Sequence, residues 1–70
     1  MIVDFELTEK QLDNSYIKEM YFDDYAKISD VITTAKQFID EFYRVTSVRF
    51  YFDNSFYLIE KDTKKRRNKI

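Results

Sequence analysis

Residues 8–22, TEKQLDNSYIKEMYF, decide the fold, because the same letters support two local structures. Thr8-Glu9-Lys10-Gln11 has the form of a capping box. Leu7 with Leu12 would then staple the start of a short helix carrying Leu12, Tyr16 and Met20 on its inner side. Against this, Asp13, Asn14 and Ser15 in succession are poor helix-interior residues, since their side chains compete for the backbone. Leu12-Asp13-Asn14-Ser15-Tyr16 also echoes Phe52-Asp53-Asn54-Ser55-Phe56 further along the chain. We therefore favour a hairpin whose second strand runs over Tyr16–Phe22. Ile2–Thr8 supplies its first strand, alternating Val3, Phe5 and Leu7 on one face with Asp4 and Glu6 on the other.

Downstream, Tyr25, Ile28, Ile32, Ala35, Ile39 and Phe42 recur at spacings of three and four, and Val31 and Phe38 widen the stripe. This predicts an amphipathic helix between Asp24 and Tyr43. Asp24 is a candidate cap, as is Ser29 for a shorter helix beginning at Asp30. Ser47–Lys61 then reads as a second hairpin with Asp53-Asn54-Ser55 as its turn, because Asp and Asn tolerate the left-handed backbone where glycine is absent. A three-residue loop would put Phe52 opposite Phe56 and Tyr51 opposite Tyr57. Val48, Phe50, Phe52, Phe56 and Leu58 would face the core, and Arg49, Tyr51, Tyr57 and Ile59 the other side. A two-residue loop would shift that register by one.

The expected architecture is α+β: a four-stranded, largely antiparallel sheet with one helix on one face, in the order ββαββ. The alternative is βααββ. Residues 1–61 are expected to form the single small domain, and 62–70 a basic, flexible C-terminal tail. In either order the second sheet face is left without a cover, which makes it a candidate contact surface.

Composition narrows the chemistry. A chain of 70 residues buries roughly 60% of its unfolded surface, and this one has no Cys with which to staple itself. Seven Phe and six Tyr supply the apolar area instead. With neither Cys nor His, the thiolate nucleophile, the commonest general base and the commonest metal ligands are missing. With no Gly there is no phosphate-cradling loop. The four serines lack a base to activate them. We therefore expect no enzyme, no metal and no cofactor. No apolar run is long enough for a membrane span and the N-terminal stretch lacks the pattern of a signal peptide, so a cytoplasmic location is expected. Absent Gly and Pro, scarce Ala, and abundant Lys, Asn, Ile, Tyr and Phe fit an AT-rich gene, as in low-GC bacteria and their viruses.

Charge is strongly polarised. Ten of the first 41 side chains are acidic and four basic, whereas residues 61–70, KDTKKRRNKI, carry six basic and one acidic. The overall charge of −1 less a +5 C-terminus leaves −6 on residues 1–60. Asp4, Glu6, Asp23, Asp24, Asp40 and Glu41 could imitate nucleic-acid phosphates, with Arg49, Tyr51 and Tyr57 as packed anchors. The expected function is a phage- or mobile-element-encoded inhibitor acting as a DNA mimic. Its partner would be a nucleic-acid-handling host protein, either a defence nuclease such as a CRISPR or restriction effector, or the transcription machinery. The alternative is nucleic-acid binding through Lys64, Lys65, Arg66 and Arg67. A homodimer, through a strand edge or the open sheet face, is a further expectation.

Overall fold

The computed structural model describes residues 1–61. Its elements are β1 (Ile2–Glu9), a 3₁₀ turn (Lys10–Leu12), β2 (Asn14–Tyr21), α1 (Ile28–Glu41), β3 (Ser47–Phe52) and β4 (Ser55–Glu60). The four strands form one sheet in the order β2-β1-β3-β4, and every neighbouring pair is antiparallel. The chain is thus an α+β protein of order ββαββ, and residues 8–22 resolve as the hairpin.

The first hairpin closes differently from its echo. Glu9 opposes Asn14, and the intervening Lys10–Leu12 winds into a 3₁₀ turn that ends on Asp13 at φ 51°. The second strand accordingly starts at Asn14 rather than Tyr16 and stops at Tyr21. Leu12 is exposed while Leu7 is buried, so the two make no staple.

The helix is shorter than its apolar stripe suggested, spanning Ile28–Glu41. Neither Asp24 nor Ser29 starts it. Asp23 diverts the chain first: its carboxylate accepts from the Tyr25 N–H at 3.1 Å and its carbonyl from the Ala26 N–H at 3.0 Å. That local turn competes with helix and throws Tyr25 into solvent, 89% exposed, off the stripe to which its spacing assigned it. Asp30 then reaches back to accept from the Lys27 N–H at 2.9 Å, satisfying a donor at the helix entrance.

The second hairpin corrects the face assignment. Its loop is two residues, with Asp53 at φ 53° and Asn54 at φ 67°. Two consecutive positive φ values match the right-handed twist of the flanking strands, which a longer loop would not need. Phe52 therefore opposes Ser55, Tyr51 opposes Phe56, and Phe50 opposes Tyr57. Tyr57 and Ile59 turn toward the helix, and Phe56 and Leu58 turn away, the reverse of the three-residue reading.

The core lies between α1 and one sheet face: Val3, Phe5 and Leu7 of β1, Val48 and Phe50 of β3, Val31, Ala35, Phe38 and Ile39 of α1, and Val45. Phe5 is its hub, edge-to-face with Phe22, Phe38 and Phe50 at centroid distances of 6.2, 5.3 and 5.1 Å. Among the described residues no polar or charged side chain is buried. Stability rests on apolar area, with no internal ion pair to position.

Candidate functional site: a groove on the sheet face opposite the helix

The two hairpins meet along a short seam. β1 pairs with β3 only through Glu6, Thr8 and the Leu7 between them, opposite Arg49, Ser47 and Val48. Beyond Glu6 the strands stop pairing, although each continues to its own hairpin partner. On the face away from the helix this leaves a concavity of about 220 Å³ lined by Asp4, Glu6, Ile17, Arg49, Phe50, Tyr51 and Phe56.

Register explains why these side chains converge. Directly opposed residues in an antiparallel pair share a face. Glu6 opposes Ile17 on β2 and Arg49 on β3, and Arg49 opposes Leu58 on β4, so all four stand in one row. Asp4 with Glu19, and Tyr51 with Phe56, form flanking pairs on the same face. The Tyr51 and Phe56 rings lie 5.2 Å apart at 57°. Exposure of this group is high: Tyr51 70%, Ile17 59%, Phe56 52% and Leu58 46%. Large apolar side chains thus stand together in water, ringed by carboxylates, on a face that no described element covers.

The ion pairing at the groove is loose. Arg49 Nε lies 3.7 Å from Glu6 Oε1, with both side chains about two-fifths exposed at 44% and 41%. Such a pair contributes little, on the order of 0–1 kcal/mol, so an incoming cation can displace it cheaply. Asp4 has no ion-pair partner among the described residues.

The remaining sequence candidates lie elsewhere. Asp23 and Asp24 precede the helix, and Asp40 and Glu41 end it, so the two pairs are separated by a helix about 21 Å long at 1.5 Å per residue. That exceeds the screening length of about 8 Å in physiological salt, and the two acidic clusters act independently. Asp24 also meets the Met1 amine at 3.3 Å. Tyr57 points to the helix side and stacks on Phe50, centroids 5.2 Å apart at 13°. It supports the groove floor from beneath. Lys64, Lys65, Arg66 and Arg67 lie outside the described residues. The sequence alone does not mark Ile17, Phe56 and Leu58 as contact residues. Ile17 carried a usable signal, as the apolar residue between Tyr16 and Lys18 on an outward position of β2, whereas Phe56 and Leu58 depended on the hairpin register.

A second hollow, of about 250 Å³, is lined by Glu9, Tyr16, Glu41, Phe42, Tyr43 and Arg44. Burial, and then the nearby charge of Glu9, hold the Tyr16 phenol above the ordinary tyrosine range. Arg44 lies over the Tyr43 ring, 5.8 Å from its centroid.

No protein-family model matches the chain, and neither a curated protein nor a solved structure matches it. Among the described residues no helix is long and apolar enough to cross a membrane. Nor does any group of three or more Asp, Glu, His or Cys side chains gather there in a way that could hold a metal ion.

Proposed function

We propose that the protein is a non-enzymatic binding protein that seats a basic protein surface on its open sheet face. The observation that carries this reading is the groove, in which Tyr51, Phe56 and Ile17 form apolar walls beside the carboxylates of Asp4 and Glu6. An arginine or lysine side chain fits such a slot on both counts. Its aliphatic stem packs on the rings, and its charge meets the carboxylates and the ring faces. Glu19 and Glu60 extend the same face, and Arg49 is its one cation among β1–β4.

Surfaces rich in arginine and lysine are those that bind nucleic acid. The partner in this reading is a nucleic-acid-handling protein of the host cytoplasm, a defence nuclease or a component of transcription, whose nucleic-acid site the groove occupies. Asp23 and Asp24 at one end and Asp40 and Glu41 at the other add long-range attraction that speeds encounter, while the groove supplies the packed anchor. A small phage- or mobile-element-encoded inhibitor is the biological role that fits.

The helix end supports selection for negative charge. Asp40 and Glu41 occupy the last turn, which holds no basic residue. Carboxylates there oppose the helix dipole, each at a cost of about 0.3–1 kcal/mol. Acids kept where the fold disfavours them are expected where another requirement acts.

The test is affinity capture from a low-GC bacterial lysate on the immobilised full chain, with and without nuclease, beside an Asp4→Lys/Glu6→Lys/Tyr51→Ala variant. The reading expects a basic protein that survives nuclease digestion and is lost with the variant. Capture that collapses on digestion shifts the function to nucleic-acid binding. A partner held equally by the variant removes the groove as its site.

A further inference from the structure

Among the described residues β2 and β4 are the outer strands of the sheet, and their edges are built differently. On β2, Lys18 opposes the fully buried Phe5 and so stands on the helix side of the sheet, at its margin. A strand added beside β2 would have to cover that ammonium group, and Glu19 follows it on the open face. An inward-pointing charge on an edge strand is a recognised guard against strand addition. β4 has no such guard. Its sequence, SFYLIE, is uncharged until Glu60, and it contains neither Lys nor Pro.

The backbone polarity of β4 follows from the ladder. The Lys61 N–H donates to the Thr46 carbonyl at 2.9 Å. Bonded and non-bonded pairs alternate in an antiparallel ladder, so Ile59 with Val48, Tyr57 with Phe50 and Ser55 with Phe52 are the bonded pairs of this register. The N–H and C=O groups of Phe56, Leu58 and Glu60 consequently point away from β3, and among the described residues no strand lies on that side.

We propose that β4 is a self-association edge, on which a second copy of the chain pairs antiparallel about a two-fold axis through Leu58. This register uses all three outward-directed residues. Leu58 meets Leu58 of the second copy, and Phe56 meets Glu60 in both directions. No like charges are opposed. Tyr57 falls opposite Ile59 on the helix side, extending the apolar layer across the junction. The product is a continuous sheet of twice four strands. The inference stands apart from the groove's occupant, and it places two grooves on one face.

Sedimentation equilibrium of the full chain, over a concentration series reaching the millimolar range, is expected to rise from one chain mass to two. Leu58→Pro removes only an outward N–H and spares the β3–β4 ladder, as proline does on an edge strand. It is expected to weaken association roughly tenfold or more with the circular dichroism spectrum retained. The chain has no cysteine, so Leu58→Cys gives a clean second readout. Bonded antiparallel pairs place Cα atoms about 5.5 Å apart, within disulfide reach. Mild oxidation should therefore convert Leu58→Cys to covalent dimer and leave Ile17→Cys, outward-facing on the guarded β2 edge, monomeric. A wild-type mass that stays at one chain throughout overturns the proposal. So does cross-linking of Ile17→Cys as complete as that of Leu58→Cys.

Discussion

Phe5 and Phe50 meet edge to face, their centroids 5.1 Å apart, directly beneath the stretch where β1 and β3 no longer pair. The ring contact replaces backbone hydrogen bonds as the link between the two hairpins there. It also forms the floor that keeps the groove shallow, since Phe50 lines the concavity from below.

Removal of that ring should be severe. Phe50→Ala is expected to cost about 3–5 kcal/mol, against a total of about 5 kcal/mol or less for a domain this small. The variant should be largely unfolded at room temperature by circular dichroism. Phe50→Leu should instead remain cooperative and lose less than about 1.5 kcal/mol in urea unfolding. Equal midpoints for Phe50→Ala and wild type would mean that the hairpins are held together elsewhere.

The turn at Asp53 and Asn54 should accept improvement. Asn54 holds φ 67°, a conformation that glycine adopts without steric cost. Asn54→Gly is expected to add about 0.5–1 kcal/mol, raising Tm by about 2–8 °C for a chain of this size. Asn54→Val should lower it, because a β-branched residue resists positive φ. Calorimetry on the two variants gives the sign directly.

Opposite signs are expected at the two ends of the helix. Asp30→Ala loses the bond to the Lys27 N–H and a favourable charge at the positive pole. It should cost about 1 kcal/mol. Asp40→Lys with Glu41→Lys places cations at the negative pole and should stabilise the fold by a few tenths of a kcal/mol to about 1 kcal/mol each, while slowing association with a basic partner. A double variant that binds at the wild-type rate would exclude these acids from steering.

Tyr16 provides a pH signature. Its phenol is raised by burial first and then by Glu9, so it should ionise above the ordinary tyrosine value near 10 in a spectrophotometric titration. Glu9→Gln should bring it down. A raised folded-state value favours the neutral form, so the stability it contributes is full below about pH 10 and is lost as pH rises through the folded value. A Tyr16 titration unchanged by Glu9→Gln would show that burial alone sets it.

Much of the architecture was legible because it is encoded locally. Val3, Phe5 and Leu7 alternate strictly, and Val31, Ala35, Phe38 and Ile39 recur at helical spacing, so both buried faces can be read from the letters alone. Tyr25 shows where spacing misleads. It continued the stripe, but the Asp23 side chain captured the backbone first. The groove was only half legible: Asp4, Glu6, Arg49 and Tyr51 stood out by charge and alternation, whereas Phe56 belonged to whichever face the turn selected.

By itself the sequence determined the polarity of β1 and the apolar face of α1, because those patterns repeat within a few residues and need no distant partner, whereas it left residues 8–22 open between hairpin and helix. Tertiary structure decided the parity of β4, the three-residue seam between the hairpins and the contrast between a guarded and an unguarded sheet edge. A strand pattern of period two is indifferent to which face is buried until its partner is fixed. That choice fell to two backbone angles at Asp53 and Asn54 and to the pairing of β1 with a strand some forty positions away, neither of which the local pattern specifies.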